Sequence, residues 1–393
     1  MAASAIAAAA AARNVISSSA VQDPPSSASC KYAGHVPFSM LRLPSLCGRR
    51  ATPSPHEFPG AIPFPRLRYR TFPISMSAVS KTSHEVSSTD AAREGGSIWR
   101  SDVIPVWKRP YFLNRDWTGL DKGIALYMLL THAACLIAPF YFTWAAFNVF
   151  LSLYFVTGLL GITLSFHRNL SHKSFTLPKW LEYTFAFCGT LAMQGDPLEW
   201  VSSHRYHHQH CDTEKDPHTP YAGFWHSHMG WLLDNSTVLE KVGARSNIGD
   251  MSKQPYYRFL QKASFIPGTL LLCGLYAWGG LPFLLWGGAV RLVWVYHITW
   301  LVNSASHVWG QQAWKTGDLS RNNWWVAILA FGEGWHNNHH AFEYSARHGL
   351  EWWQLDLTWY FILALEKLGL ATNVKLPTKE HMKRLSLDTS LAS

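Results

Sequence analysis

Eight histidines fall into three short patterns: His167-Arg-Asn-Leu-Ser-His172, His204-Arg-Tyr-His207-His208 and His336-Asn-Asn-His339-His340. On a helix, positions i, i+3 and i+4 share a face, so each HxxHH stretch is expected to point three imidazoles the same way. Imidazole nitrogen suits iron, zinc, copper and nickel, whereas calcium and magnesium take oxygen. A single histidine is commonly a core or surface residue. Two copies of one pattern, with a third pattern beside them, read instead as a metal centre. His307 is a candidate ninth ligand. Glu199, Asp216 and Glu333 lie close in sequence and could hold imidazole tautomers, or simply form salt bridges.

Something must bring these patterns together, and the apolar runs around them say what. The stretches 124–142 and 147–166 are almost wholly apolar, each about 20 residues or roughly 30 Å of helix, the thickness of a hydrocarbon core. A second pair is expected at about 263–277 and 282–302, turning at Trp278-Gly-Gly-Leu-Pro282. Both connectors are uncharged. Lys108, Arg109, Arg115, Lys122, Lys173, Lys179, Lys253, Arg258, Lys262, Lys315 and Arg321 flank the outer ends, together with Arg168. The positive-inside rule assigns that side to the cytosol or stroma, and every histidine pattern lies there. The expected fold is an all-α membrane protein: four transmembrane helices in two hairpins, with a helical cap on the stromal or cytosolic side.

Arg291 and His297 fall inside the fourth run and should face the bundle interior or a polar contact. The runs 181–193 and 324–331 are too short to span and read as helices at the interface. Residues 351–370 read as an amphipathic cap helix, and 386–393 as a frayed end. The second run leads into His167, so positions eight and twelve residues earlier, Leu159 and Phe155, are expected on one helix face, closing a channel.

Composition agrees with lipid contact. Of 393 residues, 14% are aromatic, with 20 Trp, and only 15% are charged. Residues 1–80 hold eight Lys/Arg and two acids, so +6 of the net +9 lies there, away from any groove-reading element. No nucleic-acid role is expected. The six cysteines form no disulfide or zinc framework. Residues 1–75, rich in Ala, Ser, Pro and Arg, read as a chloroplast transit peptide cleaved between Arg70 and Lys81. Residues 76–122 read as a polar linker and pre-membrane segment, 123–375 as the membrane domain and 376–393 as a tail.

The three patterns in this order resemble the histidine boxes of membrane fatty acid desaturases, in particular the acyl-CoA desaturase-like family. Asp196-Pro-Leu-Glu-Trp200, the run Thr299 to His307 and Glu333-Gly-Trp-His336 extend the likeness over roughly Val103 to Leu370. The leader and the run Cys211 to Pro217 look like the plant plastid branch. The resemblance implies two iron ions (Fe2+/Fe3+) held by His167, His172, His204, His207, His208, His307, His336, His339 and His340. It implies that Asn303 reaches a metal through water and that Trp200 and Trp300 lie near the acyl chain. It further implies a cis double bond placed in a saturated C16 chain at delta-7 on monogalactosyldiacylglycerol, with O2 and ferredoxin, in an envelope or thylakoid membrane. A delta-9-type acyl-CoA desaturase is the alternative reading. Animal acyl-CoA desaturases carry Arg-Asp just before the second box; Ser202-Ser203 stands here, which weakens the case for a CoA ester and leaves room for a glycerolipid headgroup.

An unactivated methylene has no acidic proton, so a redox metal and dioxygen must act on it, and zinc has no redox chemistry. A hydroxylase of the same superfamily would use the same centre. A non-enzymatic metal transporter would put its ligands near the membrane midplane rather than beyond the basic helix ends.

Overall fold

The computed structural model describes residues 115–388. The expected leader, its cleavage site and most of the linker lie outside these residues. Among the described residues the chain is helical, with isolated β-bridges and no sheet.

Helix α1 spans Gly119–Ile137 and ends in a short 3-10 turn to Tyr141. Thr118 and Asp121 bond each other's backbone N–H in a capping box, which fixes where α1 begins. Asp121 also accepts from Asn235 N at 3.0 Å, tying that end to the cap. Helix α2 begins at Trp144 behind a Thr143 cap and runs as α-helix to Tyr154. From Phe155 to Ser171 it continues as π-helix, with His172 N donating to His167 O at 3.2 Å in the i→i−5 pattern. Gly161 lets α2 touch the backbone of α3 (Lys179–Thr190): a Cβ there would lie 2.6 Å from Gly189 N.

Helix α4 (Pro197–His210) carries the second box behind an Asp196 cap that accepts from Leu198 N and Glu199 N. A long apolar stretch follows, from α5 (Ile266–Phe283) to α6 (Arg291–Val308). Among the described residues three helical stretches are long and apolar enough to cross a membrane: Gly119–Tyr141, Trp144–Ser171 and Ile266–Val308. The last has 43 residues, about 65 Å if straight, twice the hydrocarbon thickness. It is not straight. Gly279 leaves helical geometry and Gly280 takes φ 63°, ψ −151°, a conformation open to glycine alone at little cost. Trp278 at this bend is 74% exposed and Trp144 at the α1–α2 corner 73%, where an interfacial aromatic would sit.

Helices α7 (His336–Ala341, the third box) and α8 (Leu357–Lys367) complete the cap. The helix expected over 351–370 is thus shorter, starting at its Asp356 cap. The runs expected at the interface form Lys179–Thr190 and Trp324–Leu329, with Trp180, Phe187, Trp324 and Ile328 exposed. The expected tail is structured as far as it is described. Thr378 caps α9 (Lys379–Leu385), Met382 and Leu385 pack on Trp314 and Phe342, and Ser386 bridges Trp314. Two apolar residues three apart dock this segment on the cap.

Arg291 is buried and donates to Leu191 O at 2.7 Å, closing the C-terminal end of α3 as a cation should. His297 takes part in a chain of imidazoles: His132 Nε2 is 3.0 Å from His297 Nε2, and His297 Nδ1 is 2.9 Å from His228 Nε2. His132 Nδ1 faces Met128 O at 2.7 Å and must carry the proton, because a carbonyl only accepts. With neutral rings that choice fixes both other tautomers. The chain ties α1, α6 and the short helix Phe224–His228 together inside the bundle.

Candidate metal centre

The nine histidines converge in two groups. His167, His172, His204, His208 and His339 form one; His207, His307, His336 and His340 form the other, with one nitrogen from each residue within 4.8 Å of the rest of its group. Each HxxHH stretch is split between the two. The i and i+4 imidazoles stay together, and the i+3 imidazole crosses over: His207 leaves His204 and His208, and His339 leaves His336 and His340. The expectation that each stretch points three imidazoles the same way is therefore corrected. They share a face but not a group, since i+3 and i+4 lie on opposite flanks of that face.

Ring nitrogens face one another inside each group. Nε2–Nε2 separations are 2.8 Å for His172–His204, 3.1 Å for His167–His339, 3.0 Å for His208–His339 and 3.0 Å for His307–His336. His339 Nε2 thus faces two other Nε2 atoms, and one nitrogen cannot satisfy both by hydrogen bonding. A shared cation can. Two ligands held at about 2.1 Å and about a right angle apart are themselves about 3.0 Å apart, which matches these spacings. His340 Nε2 is buried without a hydrogen-bond partner. Residues and spacing fit a transition metal in each group.

The opposite nitrogens meet carboxylates. Nδ1 of His167 lies 2.6 Å from Glu333, that of His207 2.9 Å from Asp216, that of His307 3.2 Å from Asp212 and that of His340 2.8 Å from Asp318. This is how metal-bound imidazoles are oriented and made more basic. Burial raises the Asp216 carboxyl, but His207, His218 and their hydrogen bonds hold it well below the usual carboxylate range. Glu333 is likewise held low, against its burial, by Arg168, His167 and His348. Burial, followed by repulsion from neighbouring rings, pushes His172, His204, His208, His336 and His339 well below the ordinary imidazole value. They are neutral, the form that binds metal.

Two cavities adjoin the groups. The larger, about 160 Å³, is walled by Met128, Gln194, Glu199, Ser203, Tyr296 and Trp300 among others. The smaller, about 50 Å³, includes Gly158, Ile162, Thr163, Ile298, Val302 and Ala330. Trp200, His204, Thr299 and Asn303 line both, so the two meet beside the histidines. Trp200 stacks on His204 at 5.1 Å, and Trp300 stacks on Tyr296 at 5.4 Å. Leu159 and Phe155 line neither cavity. Leu159 is buried, and Phe155 packs outward on Phe331 and Phe361. The physical reason is the π-helix: its wider turn puts Thr163, Ile162 and Gly158, four to nine residues before His167, on the cavity side.

Comparison with known proteins follows the same lines. The fatty acid desaturase profile matches residues 142–372, which hold all three boxes. The chain belongs to the fatty acid desaturase family. It is 58% identical over 305 residues (77% of this chain, 82% of the relative) to the chloroplastic palmitoyl-monogalactosyldiacylglycerol delta-7 desaturase of Arabidopsis thaliana. It is 54% identical over 287 residues (72% and 81%) to icosanoyl-CoA 5-desaturase of Limnanthes douglasii. It is 52% identical over 280 residues (71% and 92%) to delta-9 acyl-lipid desaturase 1 of Arabidopsis thaliana. The chain is an oxidoreductase of this class.

Several residues of this desaturase's site had no motif to announce them. The His348 ring lies tilted against His339 at 4.4 Å and 3.2 Å from Glu333, with burial and Arg168 pushing its pKa down to about 4. Asp212 and Asp318 lie in loops. Arg168, counted among the basic residues flanking the helix ends, is fully buried and bonds Glu333 and Asp356 at 2.9–3.0 Å. Glu199, read as either an orienting acid or a salt-bridge partner, faces Arg245 at 3.5 Å and lines the larger cavity.

Proposed function

We propose that this desaturase holds two iron ions, one in the five-histidine group and one in the four-histidine group, with Asn303 reaching the latter through water. It introduces a cis double bond at delta-7 of a palmitoyl chain on monogalactosyldiacylglycerol, in a chloroplast membrane crossed by four helices in two hairpins. Ferredoxin supplies electrons and O2 is the oxidant. The carrying observation is the pair of histidine groups bordering two joined cavities.

Iron with dioxygen supplies the oxidising power to remove hydrogen from an unactivated methylene. The balance is –CH2–CH2– + O2 + 2 e− + 2 H+ → –CH=CH– + 2 H2O, so two electrons come from outside the substrate. The chain's own residues bind, bend and position the lipid. An acyl chain entering the larger cavity passes Trp200 and Thr299 beside the histidines, and its tail ends against Gly158, Ile162 and Ala330. Closure at that depth sets which carbons lie beside the metals. Glu199, Gln194, Ser203 and Asn235 line the larger cavity, and no described Lys or Arg is among its lining side chains. A polyanionic CoA ester would want cations there; an uncharged sugar headgroup would not. The bend at Gly279–Gly280 supports reading the 43-residue stretch as two spans.

Expression in a cyanobacterial host with a plant-type ferredoxin is expected to yield delta-7 hexadecenoate on galactolipid. Separate analysis of free, CoA-linked and galactolipid acyl chains reads it. Product confined to the CoA pool, or at delta-9, would reject the substrate assignment. In the same host, Ile162→Ala should lengthen the accepted tail. At about 0.8 kcal/mol per buried methylene, two extra carbons shift the C18:C16 product ratio by roughly tenfold. An unmoved ratio would place the channel's end elsewhere.

A further inference from the structure

Helix α9 has two different faces. Inward, Met382 and Leu385 pack on Trp314, Ala341 and Phe342. His381 Nδ1 meets the Tyr344 hydroxyl at 2.8 Å, and its ring contacts the Phe342 ring at 5.0 Å. Outward, Lys379, Lys383 and Arg384 are exposed, with Lys375 just before the helix. Lys315 is exposed too, and its N–H donates to Leu385 O at 2.8 Å, which brings it to the same end. Glu380 and Asp388 are the acids on this segment, so five cations face two anions.

Beneath this patch lies the third box. Phe342 is fully buried, two residues after His340, and contacts the Trp314 ring at 4.9 Å. Trp314 Nε1 donates to Asn338 inside the box at 2.8 Å, and Asn337 accepts from Trp314 N at 2.9 Å. One aromatic layer therefore separates an exposed basic helix from residues carrying metal-facing imidazoles.

We propose that the outer face of α9, with Lys315 and Lys375, docks a small acidic one-electron carrier that delivers the two external electrons toward the third box. This rests on the desaturase reading, whose balance requires those electrons. Charge complementarity selects the occupant: electron-transfer encounters are small and transient, and opposite charges steer them. An anionic lipid surface would suit a helix with an apolar face free to insert. That face of α9 is already spent on Trp314 and Phe342.

The test uses full-length protein in phosphatidylcholine nanodiscs, with oxidised and reduced plant-type [2Fe–2S] ferredoxin as the probe. Binding affinity and the rate of ferredoxin oxidation are measured for wild type and for Lys379→Glu/Lys383→Glu. The double variant is expected to weaken binding by about tenfold or more at low salt and to flatten its salt dependence. A double variant with unchanged ferredoxin affinity overturns the proposal. So does one whose only loss is binding to phosphatidylglycerol vesicles, which would assign the patch to lipid. Tight, charge-dependent ferredoxin binding by a protein that makes no alkene would leave the docking site standing and count against the desaturase substrate reading instead.

Discussion

His204→Ala combined with His339→Ala should leave about one iron per chain, whereas His204→Ala combined with His207→Ala should leave none. The first pair comes from different boxes but one spatial group; the second comes from one box but both groups. Each single variant should also leave about one iron, and all should lose desaturation by on the order of a thousandfold or more, because both metals serve one reaction. Metal analysis of purified protein reads the iron, and host lipid profiles read the activity. Gln209→Ala, at an exposed position of the same helix, should keep both irons. If iron loss followed the boxes rather than the groups, the crossed arrangement would be wrong.

Arg168→Met should destabilise the protein by about 3–5 kcal/mol, the cost of leaving buried charges without their partner. Arg168 is fully buried, and its fork engages Glu333 through Nε and Nη2 and Asp356 through Nη1 and Nη2. Each partner has a second task. Glu333 holds His167, and Asp356 caps α8 through Trp359 N while accepting from His348 N. Removing the cation strands two carboxylates among histidines and loosens the cap. Denaturant unfolding in detergent checks the stability. Arg168→Lys should lie between, since an ammonium cannot span both carboxylates bidentately. An Arg168→Met protein as stable as wild type would show the network to be ornamental.

Much of the centre was legible because helical spacing is local. The HxxHH spacing showed that three imidazoles of each stretch share a helix face, and the apolar runs showed roughly where long membrane-crossing helices lie. What sequence did not disclose needed information from elsewhere in the chain. The cross-over of His207 and His339 depends on how two helices face each other. Asp212, Asp318 and His348 reach the histidines from loops, with no periodicity to mark them. Leu159 and Phe155 were misplaced because counting back from His167 assumed an α-helix, and nothing in Phe155–Ser171 announces π geometry. Arg168 reads as one more basic residue at a helix end until two distant carboxylates are seen to enclose it. The docked α9 depends on Trp314 and Phe342, far from it in sequence.

The exchange of one histidine between each pair of boxes has an evolutionary corollary. Neither box is a portable module: a lineage that drifted in one helix would perturb both histidine groups at once, so neither half could be tuned, lost or borrowed alone. The two motifs must change in concert, and a designer grafting only one of them onto another scaffold would transplant parts of two centres and the whole of neither.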